Sequence, residues 1–375
     1  MASTRSPRDE RLDFFRGLAM FVIFVAHLPD NPWFGFIPAR FGFSSAAELF
    51  VFCSGLASAY AFGRVFRRQG FGAGLFSVLS RLWQVYWAHI GLALVMMALS
   101  VAGWKLTGTD YPARLGLGWF YREPGEGLFA LMTLTFTPAF LDILPMYLVL
   151  LAMLPVVMLA GRLSPILAMG ALVALWIIVQ ATKLNLPGGQ GPGGMWFFNP
   201  FAWQLVFFTG FAFGLGWLKA PPFEKGALFW LCVAILVASV PLNFWGFTQS
   251  IPALGVAHER LIGVDGKTNL NPLLYIHFLA SAHVALTLIE PHRARLAAFH
   301  PIIEVGQQAL ATFMASIALA WGLGMVLDVT GRDWLTTTVA NLAGFAGLVA
   351  VARLAKRYKT AKDERAAKPA IQPAE

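Results

Sequence analysis

RLDFFRGLAMFVIFVAH, residues 11–27, is an apolar stretch long enough to cross a membrane as a helix, with charges at its start and a histidine at its end. Arg16 and His27 are separated by eleven positions, which places them on one helical face about 16 Å apart along the axis. Asp13 lies on the same side, one turn before Arg16. Ionisable residues inside a membrane helix are costly, so this polar stripe indicates a functional site. The structural alternative is that Arg16 and His27 extend to the two headgroup layers.

The composition excludes an ordinary soluble domain. Hydrophobic residues make up 58% of the 375 residues and charged residues 13%, which is more apolar surface than a globule of this size can bury. The sequence therefore predicts a polytopic membrane protein whose first apolar segment is a retained span, since no small-residue cleavage site follows it. Cys53 and Cys232 both lie in apolar runs, which predicts neither a disulfide framework nor a metal site.

The apolar segments predict an all-α transmembrane bundle of about ten spans. We expect one transmembrane domain over 1–358 and a disordered basic cytoplasmic tail over 359–375. A further apolar segment, 125–140, is short and is predicted as a re-entrant or surface helix on the outer side. The spans are expected near 12–28, 44–66, 77–102, 142–160, 164–183, 199–219, 226–246, 270–290, 301–327 and 333–356.

The distribution of positive charge predicts the orientation. With both termini on one side, 20 of the 28 Lys and Arg residues fall on that side, and the positive-inside rule then makes it cytoplasmic. The net charge of +9 follows from this topology, so no nucleic-acid partner is needed. The densest basic loop, 64–81, would bind anionic membrane lipid or the phosphates of a cytoplasmic ligand.

The first two spans form a predicted hairpin that carries two candidate catalytic residues. His27 ends span one and Glu48 begins span two, so a histidine–carboxylate pair is expected, with His27 as a general base for an alcohol. The alternative for Glu48 is a helix cap, because Ser44 and Ser45 precede it. Both roles are compatible. Gly55 and its small neighbours at four-residue spacing predict close packing of span two, most simply on span one.

Other polar residues gather at the predicted outer ends of the spans, next to prolines. Their similar depth suggests a pocket, although nearby tryptophans and tyrosines are also typical of an interfacial belt. These residues are Asp142, Tyr147, Asn199, Gln204 and Lys267.

These motifs, taken in order, are similar to a known family. Arg16 and His27 with ten residues between them, followed by the Phe-rich Ser54-Gly55 segment of span two, resemble the membrane-bound acyltransferase-3 superfamily. The resemblance is closer to the OpgC family, the succinyltransferases of osmoregulated periplasmic glucans. It also rests on the run after Asp142, on 199–204 and on 267–278, and so covers most of the chain.

The resemblance implies an enzyme of the bacterial inner membrane that moves an acyl group, expected to be succinyl, from cytoplasmic acyl-coenzyme A to a hydroxyl of a periplasmic glucan. His27 would then be the general base, assisted by Glu48 or Asp142. The donor would be bound by inner-face arginines, Arg16 and Arg81, and by Ser54. The length of the extended pantetheine arm of the donor is similar to the ~16 Å distance between Arg16 and His27 along the helix.

The acceptor side of the predicted site contains the outer polar residues. Lys267 would hold the succinyl carboxylate or the thioester oxygen, and the other members would contact the glucan: Tyr147, Asn199 and Gln204. Two rival functions remain at this stage. One is O-acetylation of another surface polysaccharide, and the other is transport of a glucan or lipid, which also requires many spans and midplane polar groups.

Overall fold

The structure is a computed structural model that describes residues 9–367, and within these residues it is helical. No β-strand occurs among them; Pro187 and Met195 form one isolated antiparallel bridge. The described chain forms two compact units. The first contains residues 9–29 and 294–367, and the second contains Asp30–Arg293.

Thirteen α-helices of eight or more residues build the two units. The first unit contains α1 and α11 to α13, and the second contains α2 to α10. Helix α2 includes a π-helical turn at Ala59–Gly63. The helices are α1 (Glu10–His27), α2 (Ala46–Arg68), α3 (Phe71–Thr107), α4 (Pro124–Met132), α5 (Ile143–Leu163), α6 (Pro165–Thr182), α7 (Pro200–Leu215), α8 (Ala227–Asn243), α9 (Pro252–Ile262), α10 (Pro272–Ile289), α11 (His300–Gln307), α12 (Ala309–Thr330) and α13 (Trp334–Ala367).

The all-α membrane fold predicted from the sequence is confirmed. Helices α7 and α8 are apolar but only 16 and 17 residues long, and α1 carries charged residues in its first two turns. Among residues 9–367, seven helical stretches are long and apolar enough to cross a membrane: Ala46–Arg68, Phe71–Thr107, Ile143–Leu163, Pro165–Thr182, Pro272–Gln307, Ala309–Thr330 and Trp334–Lys362.

Two predicted segments differ from the structure. The ninth span, 301–327, is wrong as one continuous helix, because Gln308 has φ −110° and ψ 38° and separates α11 from α12. The hydroxyl of Thr312 donates to Val305 O at 3.1 Å and satisfies a carbonyl next to this break. The last helix continues to Ala367, so the tail predicted from residue 359 begins as helix; its remainder, 368–375, lies outside the described residues.

The predicted surface helix at 125–140 is only partly helical. Helix α4 accounts for its first half and ends at Met132. Leu134 and Phe140 then have positive φ angles of 62° and 68°, which no α-helix tolerates. The second half of the segment is therefore a series of turns.

In the second unit, the small-residue face of α2 lies against α7. A Cβ atom at Gly55 would collide with the carbonyl of Phe207, and one at Gly210 would collide with the carbonyl of Phe52. Each helix thus presents a glycine to the backbone of the other, which permits the close approach typical of small-residue interfaces. This finding corrects the expected packing partner, span one, because the sequence shows that α2 has a small face but not which helix matches it.

In the first unit, α1 packs on α11 near its charged end. A Cβ atom at Gly17 would collide with the carbonyl of Ile302. Glu304 of α11 is 6% exposed and accepts a hydrogen bond from Arg353 Nε at 3.0 Å. The amino-terminal half of α1 and the carboxyl-terminal part of α13 therefore lie at the same end of this unit.

Candidate active site at a buried glutamate

The first turn of α2 is fixed by a capping box. Ser45 Oγ accepts a hydrogen bond from Ala47 N at 3.2 Å, and Glu48 Oε2 accepts one from Ser45 N at 2.8 Å. These bonds satisfy backbone N–H groups that a helix start leaves without partners. The capping role considered for Glu48 is confirmed.

Glu48 also pairs with Lys267, the residue predicted to hold an anionic group of the donor. Lys267 Nζ lies 2.5 Å from Glu48 Oε1 and 2.7 Å from Ser45 Oγ. The Glu48 side chain is fully buried, whereas 28% of the Lys267 side chain is exposed. The ion pair therefore has a dry acidic side and a solvent-accessible basic side.

The loop that carries Lys267 is held by residues at the start of α7. Trp203 Nε1 donates to Lys267 O at 3.0 Å, and the ring centroid of Trp203 lies 5.1 Å from Lys267 Nζ. Asn199 caps α7 by accepting from Phe201 N, and its Nδ2 donates to Asn269 Oδ1 at 2.9 Å. The structure thus brings three predicted site residues, Glu48, Lys267 and Asn199, into one hydrogen-bonded group.

This arrangement leaves Lys267 able to bind an anion. An ammonium group has three N–H donors, and two of them have partners in Glu48 and Ser45. Because Glu48 and Trp203 fix the position of Nζ, the third donor is directed before a ligand arrives. A carboxylate, or the negative oxygen that develops when a carbonyl is attacked, is the chemical group that such a donor stabilises.

His277 joins α10 to the residues that precede α2. Its Nδ1 lies 2.8 Å from Ser44 Oγ and 3.3 Å from Ser44 N. The backbone N–H can only donate, so Nδ1 accepts and the hydrogen-bonding pattern assigns the ring proton to Nε2. The other side of the ring lies against Gly42, where a Cβ atom would collide with it. His277 therefore positions the segment that leads into the capping box.

Two further predicted site residues use their polar groups within the second unit. Gln204 is fully buried, and its Nε2 donates to Leu172 O at 2.7 Å. The hydroxyl of Ser54 donates to Phe50 O at 2.8 Å, one turn earlier in α2. The Gln204 bond connects α7 to α6. The Ser54 bond satisfies the hydroxyl within its own helix.

Other predicted residues of the second unit lie elsewhere on its helices. Asp142 directly precedes α5. Tyr147 is in the first part of α5, where its ring centroid lies 6.0 Å from that of Phe207. Arg81 is on α3 and donates to Gln84 Oε1 at 3.2 Å in an exposed hydrogen bond.

In the first unit, Arg16 and His27 lie on one continuous helix. Helix α1 runs from Glu10 to His27, so the predicted axial separation of about 16 Å stands. His27 is the last residue of α1 and is half-buried. Arg332 donates to Pro29 O, and its Nη2 also binds Gly324 O at 2.9 Å. Arg332 thus anchors the chain two residues after His27.

Sequence reasoning missed the residues that hold the lysine–glutamate pair. The sequence places Trp203 only within the 199–204 motif and indicates only a capping role for Ser45. The Asn199 to Gln204 motif could have indicated them, because its amides and indole are costly to bury without hydrogen-bond partners. Long-range partners such as Asn269 cannot be inferred from spacing, because they depend on how α6 and α7 meet the 263–271 loop.

The apolar helices and the polar residues gathered at the start of α2 define an all-α, polytopic membrane protein. A family model described as OpgC protein matches residues 8–360. The chain therefore belongs to the OpgC family, and the family resemblance noted in the sequence is confirmed. Family membership supports a glucan succinyltransferase at the level of the family. Comparisons with curated proteins and with solved structures gave no match.

Proposed function

We propose that this chain transfers a succinyl group from cytoplasmic succinyl-coenzyme A to a hydroxyl of a periplasmic glucan at the bacterial inner membrane. The observation that carries the proposal is the partly exposed Lys267 ammonium group held on the buried Glu48 carboxylate, in a chain of the OpgC family. A cation fixed in this way suits a donor whose acyl group ends in a carboxylate.

The reaction requires one proton transfer and one exchange of acyl partner. The glucan hydroxyl oxygen attacks the thioester carbonyl carbon while His27 takes the hydroxyl proton. The carbon–sulfur bond then breaks, and His27 returns the proton to the leaving coenzyme A sulfur. The carbonyl oxygen becomes negative during the attack and needs a donor. Lys267 supplies this donor or binds the distal succinyl carboxylate, while the hydrogen bond to Glu48 holds the ammonium group in position.

The remaining predicted residues have supporting roles in the proposal. Arg16 and Arg81 bind the phosphates of coenzyme A, and Ser54 belongs to the donor side. Asp142 assists the base. Tyr147, Asn199 and Gln204 form the acceptor side; for Asn199 and Gln204, whose amide N–H groups donate to protein partners, this role is to shape the acceptor surface.

Mass spectrometry of periplasmic glucans from cells with and without the gene tests the function. We expect succinylated glucan only when the gene is present, and loss of the modification in a Lys267→Met variant. Purified chain should also consume succinyl-coenzyme A only when glucan is added, which a transporter would not do. Glucans with the same modification in both strains would contradict the proposal. Acetyl groups in place of succinyl groups would show that the donor is acetyl-coenzyme A and not succinyl-coenzyme A.

A further inference from the structure

A polar cavity lies next to the loop that carries Lys267. Its volume is about 150 Å³, and it lies where α6 ends against residues 262–266. The polar side chains that line it are Gln180, Lys183, Asp265, Asn269 and Asn271. All of them belong to the second unit.

The cavity shares its wall with the Lys267 loop. Gly266 lines the cavity and directly precedes Lys267 in the chain. Gln180 Nε2 donates to Asn269 O at 2.6 Å, and Asn269 in turn accepts from Asn199. A ligand in the cavity would therefore contact the same short loop whose lysine binds Glu48.

The polar groups in the cavity differ in their availability. Asn271 uses its amide to cap α10 and to bind Leu261 O at 2.9 Å. In contrast, no ion pair or side-chain hydrogen bond of Lys183 or Asp265 occurs within residues 9–367, and both side chains are exposed. One cationic donor and one anionic acceptor thus face the same space with their bonding capacity unused.

This pairing of charges favours a neutral polyhydroxyl ligand. A sugar hydroxyl donates and accepts hydrogen bonds, so adjacent hydroxyls can bind a carboxylate and an ammonium group at the same time. A phosphate or a succinyl carboxylate would be repelled by Asp265, and a lipid chain would meet a lining that is mostly polar. The cavity volume equals that of about five water molecules at ~30 Å³ each, which suits a small ligand such as one sugar ring.

The geometry points to a subsite for one glucosyl residue of the acceptor glucan, bound by Lys183 and Asp265 beside the Lys267 loop. This inference rests on the proposed function and adds to it the place where the acceptor is held. The subsite binds a glucosyl unit of the acceptor through its hydroxyls and takes no part in the chemical step.

The test uses the full chain in detergent or lipid nanodiscs, with unsubstituted glucan isolated from cells that lack the gene. The variant is Lys183→Gln with Asp265→Asn, which removes both charges and keeps side-chain size. Its matched control is Lys225→Gln with Glu224→Gln, which changes the same charges at exposed positions that do not line the cavity. Glucan binding is measured directly by calorimetry, and KM is measured for glucan and for succinyl-coenzyme A.

We expect the cavity variant to bind glucan about tenfold more weakly, because two charge-assisted hydrogen bonds to the sugar become weaker neutral ones. Its KM for glucan should rise by a similar factor while its KM for succinyl-coenzyme A stays unchanged, which also shows that the variant is folded. The control should match the unmodified chain. Equal glucan affinity in the cavity variant and the control, or an unmodified chain that binds no glucan, would overturn the inference. If glucan binding depends on the cavity but no succinyl group is transferred, the subsite stands and the proposed function fails.

Discussion

Lys267 Nζ lies 2.5 Å from Glu48 Oε1 and links the loop before α10 to the first turn of α2. Glu48 makes three contacts. It accepts hydrogen bonds from the backbone N–H and the hydroxyl of Ser45, the first of which caps α2, and it forms an ion pair with Lys267. A buried carboxylate is tolerated only when it is paired and hydrogen-bonded. Variants at either residue therefore alter stability as well as activity, and the two effects have to be measured separately.

Replacing Lys267 by methionine should destabilise the protein and abolish transfer. The substitution leaves a fully buried carboxylate without its cation, at a cost of about 3 kcal/mol in the free energy of unfolding. Adding Glu48→Gln should restore most of this stability, because an uncharged amide is cheaper to bury, but it should not restore transfer. Denaturant unfolding in detergent, with succinyl transfer measured on the same samples, checks both parts. A fully active double variant would show that Lys267 has only a structural role.

The packing of α2 on α7 can be tested with two glycine substitutions. Gly55→Ala places a methyl group against the Phe207 carbonyl, so we expect a loss of about 1–3 kcal/mol in the free energy of unfolding. Gly170→Ala in α6 is the matched control, since a Cβ atom there meets nothing within 4 Å, and it should stabilise the helix by about 0.5–1 kcal/mol. Opposite signs in thermal unfolding would support the interface, whereas equal effects would contradict it.

The sequence predicts the helices well and their partners poorly. Helix α5 is predictable from its long apolar run, because a helix needs about twenty consecutive apolar residues to cross the bilayer. The break at Gln308 is not visible in the sequence, since it lies inside a run that is long and apolar enough to be read as one span. In the same way, the sequence selected Glu48 and Lys267 as site residues, but the bond between positions 219 residues apart depends on how α7 and the 263–271 loop meet.

His27→Ala should abolish succinyl transfer and leave the yield of folded protein unchanged. Loss of a general base lowers the rate by about a hundredfold or more, while one half-buried imidazole at a helix end contributes little to packing. The exposed His292 provides a control, and His292→Ala should retain activity. Transfer is followed by mass spectrometry of the glucan, and folding by size-exclusion chromatography. Near-normal glucan modification by His27→Ala would exclude this residue as the base.

The donor prediction distinguishes arginines that bind coenzyme A from those that contact lipid. Arg16 lies on the His27 helix and Arg81 on α3, and each charge-assisted contact to a phosphate contributes about 1.5–3 kcal/mol. Arg16→Ala and Arg81→Ala should therefore raise the KM for succinyl-coenzyme A by about tenfold to a hundredfold, with a smaller change in the KM for glucan. Arg67, an exposed residue near the end of α2 that we expect to contact anionic lipid, is the control, and Arg67→Ala should change neither constant. Steady-state kinetics with each substrate varied in turn decides the matter: equal effects of all three variants, or a selective effect on glucan, would mean that the donor is bound by other residues.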